Sequence, residues 1–455
     1  MTKEDQNKTD QRDNKFIQMT TAPVERLVMR FAFPAMMIML ISGLYNMADT
    51  YFVGSLGTSA VGAVGIAFPL MTVIQALGFF FGQGSGNYIS RELGAQHTEN
   101  ASKMAATGFF TSMLAMAVLS AAGIITLSPL AQGLGATETI LPYAKDYIVF
   151  ILIGAPVMVG SVVLNQQLRF QGSAMYAMVG MTSGAILNIF LDPLFIFVFG
   201  LGVKGASLAT IVSQTISCII LLIGCFMKGN IGIRIKDFSP SLSNYREIYR
   251  GGIPALLRQG LMSVATIVIN HFAGVYGDVA IAAISIVNRI FMFAGSAMLG
   301  IGQGFQPVCG FNYGAKRYDR VKQGFWFCVR TATIGLFLIA AVVAFFAPPI
   351  IALFRRDDPE VIRIGTLGLR LHCLSLPFTA LVIMANMMTQ TMGKSVEASL
   401  LSTSRQGLFL LPALFILSPL LGLPGVQMSL PVADILSFFL AIPITVKVLR
   451  SMRET

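Results

Sequence analysis

The sequence predicts an all-α polytopic membrane protein, with twelve transmembrane helices in two six-helix lobes related by a parallel repeat. Three observations carry that prediction. The 455 residues are 55% hydrophobic and only 12% charged, with mean hydropathy +0.73, too little charge to cover a soluble surface of this size. Apolar segments of about 20 residues or more recur along the chain, each long enough to cross a hydrocarbon core. The sequence also matches itself at an offset of 220 residues.

In chain order, residues 1–22 are polar, mixed in charge and without an apolar core, and read as a solvated tail rather than a signal peptide. Hydropathy and turn residues then place helices over 26–53, 60–82, 104–127, 143–168, 177–199 and 206–227. A polar linker covers 228–250, and a second set follows over 251–275, 280–305, 324–347, 364–391, 402–420 and 425–447. The expected parts are thus a tail (1–22), a first lobe (23–227), a linker (228–250), a second lobe (251–447) and a C-terminal tail (448–455).

Lysine and arginine concentrate in the even-numbered connections, such as "SRELGAQHTENASK", "NYGAKRYDRVKQ" and "GKSVEASLLSTSR". Odd-numbered connections are poor in base, except "FRRDDPEVIR", whose RRDD at 355–358 reads as a solvated external loop. The bias puts both termini of this multi-pass plasma-membrane protein in the cytoplasm.

The repeat is gapless at first. Pro34 and Ala35 meet Pro254 and Ala255, Gly54 and Gly57 meet Gly274 and Gly277, and "GQG" at 82–84 meets "GQG" at 302–304. After one residue of slippage Pro156 meets Pro377, Asn165 meets Asn386, and Gly172 meets Gly393. Six helices per half is an even number, so both halves enter from the same side and are related by an axis along the membrane normal. Two similar lobes that can rock about a midplane cavity favour a transporter over a channel or an intramembrane enzyme.

Other chemistries find little support. The net charge of +11 is spread over short connections, which argues against a nucleic-acid partner. The five cysteines lie in apolar segments without CxxC spacing and read as small buried hydrophobes. "GQGSG" at 82–86 follows no strand, so small residues at a membrane helix end explain it better than a phosphate loop. No HExxH or GxSxG occurs, and no enzymatic activity or cofactor is expected.

The informative residues are the acids inside the spans, because a carboxylate there is costly unless it has work to do. Three are deep: Asp49, Asp192 and Asp434. Counted from the outer helix ends, Asp49, Asp192 and Thr210 fall in one band about five to eight residues deep. Asn188 lies one turn from Asp192 on the same face. Pro193 lacks an N–H, so the Ile189 carbonyl loses its helical partner, and the proline is a candidate hinge. Two carboxylates, an amide oxygen, a hydroxyl and a carbonyl make a hard-oxygen site for a small cation. The same pair can hold a proton, since like charges kept close cannot both ionise cheaply.

In the second half Asp49 maps onto Ile269 and Asp192 onto Ala413, so the acid site belongs to the first lobe. Asp434 reads more readily as a helix-packing group, and Arg258 as a side chain reaching toward the cytoplasm. Asn165, Gln166 and Gln167 read as interhelical hydrogen-bonders.

The residues "YNMADTYFVGSLGTSAVGAVGIAFPL" (45–70) and "LNIFLDPLFIFVFGLGVKGASLAT" (187–210) resemble the multidrug and toxic compound extrusion (MATE) family. The similarity runs over about residues 25 to 450 and is closest to the DinF/MepA-like branch. It implies a V-shaped two-lobe fold and export of cationic or amphipathic compounds driven by H⁺ or Na⁺ entry. It carries the first-lobe cation site onto Asp49, Asn188, Asp192 and Thr210, possible Na⁺ ligands. The expected partners are small-molecule substrates and membrane lipids, and the expected state is a monomer. The alternative is a lipid-linked saccharide flippase of the same superfamily, for which twelve spans and a first-lobe acid pair are a poor match.

Overall fold

The structure is a computed structural model that describes residues 3–227, 229–354 and 358–452. Among these residues, twelve helices are long and apolar enough to cross a membrane. In the first half they are α2 (Val24–Gly54), α3 (Thr58–Gly94), α4 (Thr98–Ile125), α6 (Leu141–Phe170), α7 (Ala174–Pro193, continued by a π-helical turn over Leu194–Val198) and α8 (Val203–Phe226). In the second half they are α9 (Leu242–Gly274), α10 (Asp278–Gly314), α11 (Tyr318–Phe345), α13 (Pro359–Thr391), the continuous run Ser395–Leu421, and α16 (Leu423–Ser451). Within Ser395–Leu421, α14 (Ser395–Thr403) and α15 (Leu410–Leu421) flank a π-helical segment, Ser404–Phe409. Short helices α5 (Leu127–Gly133) and α12 (Ala347–Phe354) follow the third span of each half.

Every expected span is present, and most are longer than hydropathy implied. The second spans gain most, because α3 runs on to Gly94 and α10 to Gly314. Their polar ends, read as connections, stay helical, since helix need not stop where hydrocarbon does. Of RRDD, residues 355–357 lie outside the described residues. Asp358 caps α13, accepting from the N–H groups of Glu360 and Val361 at 3.1 and 3.2 Å.

The chain divides into two compact units, but not at the boundaries the sequence suggests. One holds the described residues of 1–22 and 34–252; the other holds those of 23–33 and 253–455. The first helix of each half therefore changes unit near its proline, Pro34 or Pro254, at repeat-equivalent positions. Glycine explains the arrangement. In the second unit Gly304 lies against the backbone of Ala32 and Val28, and in the first Gly84 lies against that of Ile248, with no room at either for a Cβ. The described residues of 228–250, expected as a linker, are instead fastened to the first unit. Arg91 Nη2 pairs with Glu247 at 2.8 Å, and the Ser239 N–H donates to Thr107 Oγ1 at 3.1 Å.

The N-terminal segment also departs from expectation, because α1 (Lys3–Thr21) is a docked helix rather than a solvated tail. Met19 is buried, and Lys15 Nζ donates to Ser173 Oγ at 2.7 Å and Asn230 Oδ1 at 2.8 Å. Both acceptors lie in connections, so no hydrophobic period announces the docking. Burial, helped by the neighbouring Arg12 charge, lowers the Lys15 ammonium from the usual lysine range to about 7.

Two expectations follow. Gly84→Ala and Gly304→Ala should each lower stability by about 1–3 kcal/mol, because backbone rather than a side-chain tip must move. Thermal unfolding in detergent measures this, and wild-type values would mean that the close approach is unimportant. For α1, the lowered Lys15 value means that the undocked helix binds more protons above about pH 7. Docking should therefore tighten as pH rises from about 7 toward the free lysine value, and should be flat below it. Hydrogen exchange over residues 11–21, corrected for intrinsic rates, reads this out, and Lys15→Met should remove the dependence.

Candidate functional site

The first unit gathers the four expected cation-site residues from three helices: Asp49 on α2, Asn188 and Asp192 on α7, and Thr210 on α8. Asn188, Asp192 and Thr210 are buried, and Asp49 is half-buried. The Asn188 amide, oriented to satisfy its neighbours, donates to Asp192 Oδ2 at 3.0 Å and accepts from the Thr210 N–H at 3.2 Å. It thereby ties α7 to α8 and holds one carboxylate oxygen in place. Asp49 lies close enough to Asp192 for the two charges to interact. Asp49 Oδ1 and Asp192 Oδ1 are both buried without a hydrogen-bond partner among the described residues. Buried acceptors without donors are costly, and a proton or a small cation relieves that cost.

Two phenols join this cluster that were not foreseen. Tyr45, one turn before Asp49 on α2, and buried Tyr147 on α6 both lie within electrostatic reach of Asp49 and Asp192. The i,i+4 spacing of Tyr45 and Asp49 was the available signal for the first. Tyr147 offered none, since only tertiary packing brings α6 to the site. Pro193 ends the α-helical part of α7, and the next turn widens into the π form, with the Phe199 N–H bonded to Leu194 O at 3.0 Å. A proline followed by a π turn is a local break in an otherwise regular ladder, and such turns recur at functional sites.

Among the described residues, the second unit carries no copy of this site. Ile269, the counterpart of Asp49, lines a cavity of ≈ 20 Å³ with His372, Asn288 and Gln427, room for about one water. Asp434 is buried there and paired: Arg405 Nε donates to its Oδ1, and Ser375 Oγ donates to its Oδ2 at 3.0 Å. Arg405, read from the sequence as a connection charge, lies instead in the π-helical segment. A buried acid needing a counter-charge was the signal that could have found it.

Arg258 bonds Asn386 Oδ1 at 3.2 Å, and so has a partner within its own unit. Asn165 and Asn386 do the same work in both halves. Asn165 Nδ2 donates to Ala177 O at 3.1 Å, and Asn386 Nδ2 to Ala398 O at 2.7 Å, each across the following turn. Gln167 bonds Ser85 Oγ and Ala105 O, both at 3.0 Å. Gln166 is buried, but its Oε1 has no partner among the described residues.

Twelve spans in two repeats, with a polar cluster sunk in one of them, define a duplicated membrane transporter. A family model described as MatE matches residues 34–194 and again 254–415, one match for each repeat. The chain belongs to the MatE family. It is 29% identical to the multidrug export protein MepA of Staphylococcus haemolyticus over 94% of this chain and 95% of that protein. It is 30% identical to MepA of Staphylococcus aureus strain N315, over 93% and 94%.

Among solved structures, an outward-facing multidrug resistance MATE family transporter of the MOP superfamily matches with TM-score 0.90 at 27% identity. That match covers 96% of this chain and 99% of the other. A MOP superfamily transporter from Pyrococcus furiosus matches with TM-score 0.87 at 28% identity over the same shares.

The Arg405–Asp434 pair gives a further expectation. Arg405→Met strands a buried carboxylate and should cost about 3 kcal/mol or more. The double change Arg405→Met with Asp434→Leu should recover most of that loss. Equal melting temperatures for the single and double variants would show that the pair is not coupled.

Proposed function

We propose that this protein is an ion-coupled antiporter that exports cationic or amphipathic compounds across the bacterial inner membrane by alternating access. The MepA relatives are described as multidrug export proteins, which favours this reading over a saccharide flippase. The observation that supports the coupling is the pair of carboxylate oxygens on Asp49 and Asp192, each without a hydrogen-bond partner among the described residues, on two acids that interact electrostatically within the first unit. Entry of H⁺ or Na⁺ would supply the missing partner. Asn188 would hold Asp192 in register, and Thr210 would offer a hydroxyl oxygen. The proton is the expected driver, since two neighbouring carboxylates hold one readily. The break after Pro193 would let the end of α7 move as Asp192 gains or loses its cation. Both termini face the cytoplasm in this reading, as the basic connections require, and the protein acts as a monomer.

The test is uptake of a fluorescent cationic dye into everted vesicles, with ΔpH and ΔNa⁺ imposed separately. Asp49→Asn and Asp192→Asn should each abolish gradient-driven uptake at unchanged expression. Full transport by either variant would remove that residue from the coupling site. A response to ΔNa⁺ alone would make sodium the driver.

A further inference from the structure

On α11, Lys322, Trp326 and Arg330 stand one turn apart on one face. With Glu25 and Gln323 they line a cavity of ≈ 240 Å³ between the first turns of α2 and the start of α11, both within the second unit. Counting back from the far end of α11, about 20 residues of hydrocarbon put the membrane boundary near residue 325. Trp326, the one tryptophan in the chain, then sits at the interface, where tryptophan is favoured. Lys322 lies among the headgroups, and Arg330 lies a turn inside, within snorkelling reach of them.

The cavity holds two cations and one carboxylate, and the carboxylate is engaged: Gln323 Nε2 donates to Glu25 Oε1 at 2.7 Å. Lys322 and Arg330 have no ion-pair partner among the described residues, and Arg26 and Arg30 are exposed on the adjoining turns of α2. A guanidinium at this depth without an anion is expensive.

The repeat sharpens the point. In the first unit Ser102, Ala106 and Phe110 replace the basic stripe, and Tyr245 replaces Glu25. There the chain covers the face itself: Phe238 packs edge-on to Phe110 at 6.1 Å, and Tyr245 bonds Thr111 at 3.3 Å. The segment that would cover the second unit in the same way belongs to α1, which is docked in the first unit.

We infer that this cavity binds the phosphate headgroup of an anionic phospholipid from the leaflet on the side of the termini. Lys322 and Arg330 clasp the phosphate, and Trp326 seats the glycerol region.

The single tryptophan makes the test direct. The purified full chain is reconstituted in vesicles containing brominated phosphatidylglycerol or brominated phosphatidylcholine over the same series of mole fractions, and Trp326 fluorescence is read. Brominated phosphatidylglycerol should quench with an apparent affinity about tenfold higher or more. That preference should vanish in Lys322→Gln with Arg330→Gln, survive in Lys322→Arg with Arg330→Lys, and survive in the remote charge control Arg234→Gln with Lys236→Gln. Equal quenching by the two lipids in the wild type would overturn the inference, as would a preference that persists without the two cations. Loss of the preference on adding inorganic phosphate at constant ionic strength would assign the site to a free anion and overturn the lipid assignment.

Discussion

A polar group sunk in an apolar span must find its partner inside the fold, because lipid offers none. Most of what is specific about this molecule follows from how that requirement is met. Asn165 and Asn386 meet it identically, each reaching a carbonyl of the next helix, so an amide fixes the same inter-helix turn in both halves. Asp434 meets it with Arg405 and Ser375. Asp49 and Asp192 do not, each keeping a buried oxygen without a donor among the described residues. Among the three deep acids, Asp434 is thus set apart from Asp49 and Asp192 by having a partner on each carboxylate oxygen.

Duplication supplied the skeleton, and divergence supplied the chemistry. Gly84 and Gly304 occupy equivalent places and perform the same task, admitting the backbone of another segment closer than any Cβ allows. Pro34 and Pro254 mark where each half's first helix passes from one unit to the other. Against that shared frame the halves differ in polarity: oxygen-bearing side chains gather in the first, while Ile269 and Ala413 stand at the counterparts of Asp49 and Asp192 in the second. Each buried acid carries a desolvation cost, which the second half avoids by standing apolar residues at those two positions.

The ends of the helices diverge in a related way. The first unit is closed on the side of the termini by α1 and by residues 229–250, through Lys15, Asn230, Ser239 and Glu247. Among the described residues, the corresponding face of the second unit holds a cavity lined in part by Lys322, Trp326 and Arg330. One half thus carries its own cover, while the other keeps a basic cavity at the same place.

The sequence by itself determined the number of spans, the 6+6 duplication, the confinement of the acid pair to the first half, and the grouping of Asp49, Asn188, Asp192 and Thr210. Each is a linear property: apolar length, offset identity, or residue depth counted from a helix end. What it left undecided depends on which surfaces meet. The unit boundary at residues 33 and 34 rests on two glycines and the segments that press on them. The docking of α1 rests on hydrogen bonds from Lys15 to residues more than a hundred positions away. Tyr147 at the acid cluster, and Arg405 as the partner of Asp434, are likewise products of helix packing. Hydropathy records how much a segment avoids water. It does not record which neighbour removes the water, and that choice belongs to the tertiary structure.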